Sequence, residues 1–529
     1  LAALAVVFSA SAGAQEAPAA AAAAQPRFSV SAVRVEGNTL LPAEEVEARV
    51  ATLVGAERTL ADLRGGAAAV QAAYREAGYG GVVAFVPPQD LAAGEVLIRV
   101  VEGKLAQVSV SGNERYSEEN IRRSLPGLRE GETPRVRSID RDIQLANENP
   151  VKDVQVTLAA GARPGEVDAK VEVREEAPLR ILLGVENTGD RETGEYRVSV
   201  GLQHANLWDR DHIGTVQYQT SPEEPELVDI YAVGYRAPLY GHAASVDAYY
   251  GHSSVDNGTT TTTAGPLAFT GKGDVAGLRL NRYLDRRGEY DHRVTFGVDW
   301  RDYDNACELG GFGAAGCGPA GVSYVLVPVS LAYTGQVEGP ERAWGFSAAV
   351  AHNFAGSAEA TFEAARPGAP REYTALRFSA FASQELPRGF GVSGRLTSQW
   401  SADALVPGEQ LGLGGAESVR GYYERELAGD YGYFASLEGL GPTLRPTLGG
   451  EEASLRPYVF VDYGRVANHE DAPCLGVDTS CTLSSVGLGA RFTLGRRLSA
   501  QLDIGRALED GAVKDEGSTR GHVGLYLVF

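Results

Sequence analysis

The chain has 529 residues, 48 Lys+Arg against 69 Asp+Glu, a formal net charge of −21, and no Met. That charge lacks the basic surface of a nucleic-acid binder, so no nucleic-acid partner is expected. No apolar run reaches the roughly 18 residues of a helical membrane span. A membrane β-barrel stays open, because its alternating strands leave only a weak hydropathy trace.

A chain without Met is expected to lack its start. Leu1–Ala10 is apolar and Ala12-Gly13-Ala14 forms an A-x-A cleavage pattern, so residues 1–14 read as the remnant of a signal peptide. Residues 15–27, rich in Ala and Pro, read as a linker. An internal repeat follows. Val35-Glu36-Gly37-Asn38 before Pro42-Ala43-Glu44-Glu45 recurs as Val110-Ser111-Gly112-Asn113 before Ser117-Glu118-Glu119-Asn120. Each copy predicts a strand, a Gly-Asn turn and a helix with acidic residues in its first turn, which complement the helix dipole. Helices over 59–77 and 138–147 and strand pairs 82–86/96–101 and 154–158/167–173 complete two β-α-α-β-β units, 28–103 and 104–175. Units that small bury modest cores and suit binding better than catalysis.

From residue 176 the pattern changes to long alternating segments separated by Gly, Asp, Pro and Asn. Sixteen strands are expected: 180–187, 195–206, 211–221, 226–238, 243–254, 273–285, 290–303, 322–336, 341–355, 371–386, 389–402, 431–440, 455–468, 483–494, 497–507 and 519–529. Connections after odd strands are long (255–272, 304–321, 356–370, 403–430, 469–482, 508–518); those after even strands are short, except 441–454. Long outside and short inside is the pattern of an outer-membrane barrel and fits a soluble sandwich or propeller poorly. Cys307 with Cys317 and Cys474 with Cys481 fall in two of the long connections, which favours two local disulfides; four free thiols are the alternative. No zinc spacing is present, and neither a metal nor a cofactor is expected.

Four stretches and the terminal Phe529 carry a family resemblance: Val100-Val101-Glu102-Gly103, the Gly184–Gly194 hairpin, Gly408 through Val419-Arg420-Gly421-Tyr422, and Phe460-Val461-Asp462-Tyr463-Gly464. The repeated units resemble polypeptide-transport-associated (POTRA) domains. Residues 28–529 resemble the outer-membrane transporters of two-partner secretion, the TpsB or haemolysin secretion/activation (ShlB/FhaC/HecB) family. The resemblance implies two small α+β POTRA domains, then a 16-stranded antiparallel transmembrane β-barrel over 176–529. It places V-R-G-Y on a sixth extracellular connection folded into the lumen, F-x-D-x-G on the thirteenth strand, and Phe529 as the signal for barrel insertion.

Strand alternation sets Phe460, Asp462 and Gly464 on one face and Val459, Val461 and Tyr463 on the other. The second face suits lipid, so Asp462 should face the lumen, and the resemblance implies that Arg420 pairs with it. Some relatives have a plug helix before the modules; residues 15–27 are too short to supply one here. The abundant acids suggest an acidic lumen. The expected function is transport of an unfolded partner exoprotein (a TpsA-like adhesin or cytolysin) from periplasm to cell surface, driven by folding outside. The barrel assembly machinery during biogenesis and outer-membrane lipid are the other expected partners. A barrel assembly factor is the alternative; a passive porin has no use for the modules. No catalytic motif stands out: Gly412-Leu413-Gly414-Gly415 lacks the Lys of a phosphate loop.

Overall fold

The structure is a computed structural model that describes residues 26–255, 260–261, 268–269, 272–305, 319 and 321–529. The signal remnant, most of the linker and the Cys307/Cys317 pair lie outside them.

The first module runs β1 (Arg27–Val30), β2 (Ala32–Glu36), α1 (Ala43–Val50), β3 (Gly55–Thr59), α2 (Leu60–Glu76), β4 (Val82–Phe85) and β5 (Glu95–Glu102). Its sheet has the order β2-β5-β4, with β2 parallel and β4 antiparallel to β5. Thr59 starts α2 with a capping box: its hydroxyl accepts from Asp62 N at 3.2 Å, and the Asp62 carboxylate accepts from Thr59 N at 2.8 Å. Val46, Val50, Leu63, Val70 and Tyr74 of the helices pack on Val96, Ile98 and Val100. The β1–β3 ribbon was not expected; β3 pairs antiparallel with β1 and so lies outside the three-stranded sheet. A five-residue segment ending at a helix cap carries no periodicity of its own.

The second module runs β6 (Lys104–Ser111), α3 (Glu118–Ser124), α4 (Val136–Ala146), β7 (Lys152–Ala160) and β8 (Glu166–Glu175), with sheet order β6-β8-β7. The Gly-Asn repeat has one physical cause in both modules. Gly37 (φ +88°) and Gly112 (φ +82°) pass so close to a neighbouring strand that an added Cβ would sit 2.2 Å from a carbonyl oxygen, that of Val100 or Val173. The turn after each is held by a strand-end glutamate: Glu102 accepts from Thr39 N (2.7 Å) and Leu40 N (3.0 Å), and Glu175 from Glu114 N (3.0 Å) and Tyr116 N (3.3 Å).

Residues 105–161 and 167–529 form one compact unit. Its larger part is a closed antiparallel barrel of sixteen long strands. They are β9 (Leu179–Glu186), β10 (Arg197–Leu207), β11 (His212–Thr220), β12 (Ile230–Leu239), β13 (Ala244–Ser253), β14 (Gly273–Tyr283), β15 (Tyr290–Tyr303) and β16 (Tyr324–Glu338). The circuit continues with β17 (Arg342–Gly356), β18 (Tyr373–Glu385), β19 (Gly391–Ser401), β20 (Tyr431–Leu440), β21 (Glu451–Ala467), β22 (Ser480–Leu494), β23 (Leu498–Ala507) and β24 (Thr519–Val528), which pairs with β9. Closure leaves no strand edge to lipid.

Strand β21 starts at Glu451 rather than 455, because Glu451 and Glu452 fold back on Leu448 and Thr447; the one long even connection is largely hairpin. A short helix, α5 (Glu359–Ala365), in the fifth extracellular connection was not foreseen. Among the described residues no helix is long and apolar enough to cross a membrane.

Candidate functional site

The sixth extracellular connection, between β19 and β20, folds as a ribbon: Leu411–Leu413 pairs with Leu427–Gly429. The strand wall that receives it obeys the alternation. Val459 and Val461 are 61% and 53% exposed, whereas Phe460 is 2% exposed and Asp462 fully buried. Arg420, at the ribbon tip, is also fully buried. Its Nε and Nη2 donate to the two oxygens of Asp462, each at 2.8 Å, and its backbone N–H donates to Asp462 Oδ2 at 3.1 Å. The pair is bidentate, the geometry for which arginine is suited.

Arg420 does more than pair with Asp462. Nη1 donates to Glu438 Oε1 on β20 at 2.8 Å and to Asp503 Oδ1 on β23 at 3.2 Å. Nη2 donates to Ser436 Oγ at 2.9 Å, and the guanidinium lies 3.5 Å from the centroid of the Phe460 ring. One cation therefore holds three carboxylates on three strands. Gly421 has φ +99°, and a Cβ there would come 3.1 Å from Gly505 backbone atoms on β23. Tyr422 is buried with Val419, Leu413, Phe434 and Leu483, and its hydroxyl donates to Glu509 O at 2.8 Å. Gly464 lies beneath the ribbon, where a Cβ would meet Leu413 at 2.8 Å.

A second polar clamp holds the ascending arm against the other side of the wall. Glu409, 2% exposed, lies between Arg301 on β15 and Arg377 on β18, with Arg377 Nη2 donating at 2.9 Å. At the returning arm Asp430 is fully buried, pairs with Arg366 just after α5, and accepts from Leu405 N at 2.9 Å. Cys474 and Cys481 are disulfide-bonded, Cα–Cα 6.1 Å, and both pack on the cluster around Tyr422; Cys481 lies in β22 rather than in the loop.

The lumen is not simply acidic. A cavity beside the ribbon is lined by Arg279, Arg301, Arg377 and Arg425 as well as by Glu186, Glu409, Glu417, Glu424 and Asp503. Burial of a carboxylate away from bulk water requires a partner, and arginines on neighbouring strands supply it.

The second module meets the barrel at the β10–β11 turn. Trp208, Asp209 and Asp211 there all have positive φ (58°, 52° and 60°), a left-handed stretch costly for non-glycine residues. The module holds that turn. Lys152 Nζ donates to Asp211 Oδ2 at 2.6 Å with both side chains essentially buried, and Tyr240 OH donates to the same oxygen at 2.6 Å. Arg123 Nη2 donates to Asp209 O at 2.6 Å and Asn120 Nδ2 to Asp209 Oδ1 at 3.2 Å. Burial pushes the Lys152 ammonium below the ordinary lysine value against the pull of Asp211. Ala205, Tyr240 and Tyr283 of the barrel join the core of this module.

Sequence reasoning reached Arg420 and Asp462 but missed Glu438, Asp503, Gly505 and Glu409. A signal existed for two of them. Leu502-Asp503-Ile504-Gly505 repeats the flanked-carboxylate pattern of Val461-Asp462-Tyr463-Gly464, one strand pair further on.

Two family models match this architecture. Residues 28–103 match the ShlB-type POTRA domain, and 165–309 with 341–492 match the haemolysin secretion/activation protein ShlB/FhaC/HecB. The chain belongs to the ShlB/FhaC/HecB family. It is 25% identical over 495 residues to the outer membrane transporter CdiB of Dickeya dadantii (strain 3937), covering 91% of this chain and 83% of that one. It is 20% identical over 469 residues to the heme/hemopexin transporter protein HuxB of Haemophilus influenzae (strain ATCC 51907 / DSM 11121 / KW20 / Rd), covering 86% and 79%. In fold it is similar to the structure of CdiB from Escherichia coli, with TM-score 0.78, 22% identity, and 97% and 93% of the chains covered. Members of this family are outer-membrane transporters of two-partner secretion, with the barrel in the outer membrane and the POTRA modules in the periplasm. The matching family model is that of the secretion branch.

Proposed function

We propose that this transporter binds an unfolded partner exoprotein at its periplasmic modules and passes it through the barrel lumen to the cell surface, the sixth connection giving way as it does so. The observation that carries this reading is the nature of the obstruction. The lumen is filled by a loop, held by the polar contacts of Arg420 and by a small apolar cluster around Tyr422, and not by the strand wall. Hydrogen-bonded contacts inside an aqueous barrel can be exchanged for others, whereas a packed wall cannot. Strands β2 and β4 are edges of the first sheet, and an extended cargo strand can add to such an edge by main-chain hydrogen bonds. On β4, Val83 and Phe85 are exposed beside that edge and offer side-chain contacts.

The partner is a secreted TpsA-type protein. The barrel assembly machinery inserts the chain through its C-terminal strand and Phe529, and lipid covers the exposed band that includes Leu437, Val459 and Leu488. Removing residues 28–103 tests the capture step, because that module has its own core. The barrel should still reach the outer membrane while partner secretion stops; secretion at the parental level would refute capture by this module. Removing the second module as well is a poor test, since it strips the cover from Tyr240, Tyr283 and Asp211.

A further inference from the structure

The barrel closes where β24 meets β9, and this seam is short. It registers five residue pairs, Gly524↔Glu186 through Val528↔Leu182, with reciprocal backbone bonds between Phe529 and Ile181 beyond them. The next pair round, β9 with β10, registers eight, and β21 with β22 fifteen. On the extracellular side of Glu186 one backbone bond, Asn187 N to Val523 O at 3.2 Å, is joined by the Asn187 side chain, which donates to Gly521 O and accepts from Val523 N, both at 2.8 Å. Beyond that point Arg520 of β24 reaches across to Asn187 O, and a residue that belongs to neither strand joins it.

We propose that Tyr423, directly after the V-R-G-Y tetrad, is a positioning residue that staples this seam. The sixth connection then cannot leave the lumen without loosening β24 from β9. Tyr423 is 6% exposed. The guanidinium of Arg520, on β24, stacks 3.6 Å from its ring centroid. Its hydroxyl donates to Glu195 Oε1 at 2.8 Å and accepts from Arg191 Nε at 3.2 Å, both in the connection that follows β9. Arg520 completes the circuit: Nη1 lies 3.9 Å from Glu195, and Nη2 donates to Asn187 O at 3.1 Å. Two residues earlier, Gly421 N donates to His522 Nε2, also on β24, at 2.9 Å.

The loop tip thus grips the last strand at two side chains and the first connection at two. A tyrosine that merely filled space would not place its ring on one side of the seam and its hydroxyl on the other. A cation on an aromatic face is strongest where water is excluded, and the Arg520 side chain and the Tyr423 ring are both buried, whereas Glu195 and Arg191 reach the hydroxyl from the more exposed side. Because such coupling is reciprocal, whatever lifts the tip weakens the seam, and whatever strains the seam favours release of the tip. This holds without any cargo and does not depend on the transport reading.

Backbone amide exchange on the full chain in lipid nanodiscs, with no partner present, tests it. Tyr423→Leu should make amides of 181–187 and 520–528 exchange about tenfold faster, while β17 and β18 across the barrel are unchanged. Tyr423→Phe keeps the ring for Arg520 and loses the hydroxyl bonds, and should fall in between. Arg420→Ala, which frees the tip from β20, β21 and β23, should give the same rise confined to the seam. Unchanged seam exchange in Tyr423→Leu or in Arg420→Ala overturns the proposal, as does a uniform rise over all strands. If Tyr423→Leu fails to fold, Tyr423→Phe against the parent decides: faster exchange at the seam alone supports the staple, and parental exchange there refutes it.

Discussion

Replacing Arg420 by Ala should damage the transporter more than replacing Asp462, and the asymmetry follows from who keeps a partner. With Asp462 gone, the guanidinium retains Glu438 at 2.8 Å, Asp503 at 3.2 Å and the face of Phe460. With Arg420 gone, three carboxylates converge on an emptied space. Glu438 keeps Arg491 at 2.9 Å and Asp503 keeps the Tyr458 hydroxyl at 2.6 Å, but Asp462 loses its cation altogether. Breaking a buried pair from one side costs about 3–5 kcal/mol, and the cation over the ring adds about 2 kcal/mol where desolvated. Arg420→Ala should therefore lose most of the docking energy of the loop, and Asp462→Ala the smaller part of it. In the double mutant the losses should fall short of additive by about 2 kcal/mol, some thirtyfold in the docked-to-released ratio. Secreted partner, normalised to barrel in the outer membrane, reads the functional effect, and conductance across a planar bilayer reads loop release. Strictly additive effects, or equal damage from the two single changes, would refute the reasoning.

Three further outcomes are expected. Lys152→Met should loosen the second module from the barrel and expose the 176–178 segment to protease, because Asp211 is left buried with only Tyr240 and Asn149 as side-chain partners; parental resistance would count against the docking. Burial pushes the Asp142 carboxyl up to about 6, against the Gly127 N–H at 2.7 Å and Arg141. A raised folded value means that its contribution to stability is complete below the unfolded value and lost as pH rises through about 6. Asp142→Asn should remove that dependence and raise the unfolding midpoint at pH 7.5, by up to about 3 kcal/mol in free energy, with no gain at pH 4; an equal effect at both pH values would show that the carboxyl is not perturbed. Thiol labelling of whole cells should modify Cys474 and Cys481 only after reduction, since they are bonded and lie by the extracellular connections; labelling without reductant would contradict the bond. The same assay reports on Cys307 and Cys317.

Much of the fold was legible because the barrel's constraint is local. Lipid requires alternation along each strand and short turns on one side, and both can be read residue by residue, as at Val459 to Tyr463. The modules were legible through a repeat whose cause is a close backbone approach at Gly37 and Gly112. What sequence could not supply was convergence. Glu438, Asp462 and Asp503 stand on separate strands and meet Arg420 only when the sixth connection folds in over them, so a pair was expected where the structure has one cation among three acids. The clamp of Glu409 by Arg301 and Arg377 was hidden for the same reason. The arginines among the lumen acids were not foreseen, because net charge counts residues and not their partners. The left-handed residues of the β10–β11 turn are sustained by a module more than fifty positions earlier, which no local pattern announces.

The central claim is that the partner travels inside the barrel, and the strand alternation offers a direct test. A photo-crosslinking residue is placed at Thr397 or Gln501, which line the lumen cavity, and in matched variants at Leu396 or Leu502, which are exposed on the opposite face. A partner exoprotein is stalled in transit by a folded domain fused to its trailing end. The account predicts adducts with the partner from Thr397 and Gln501 and none from Leu396 and Leu502. Adducts from the lipid-facing positions alone, with the lumen positions silent while the partner is stalled, would contradict it.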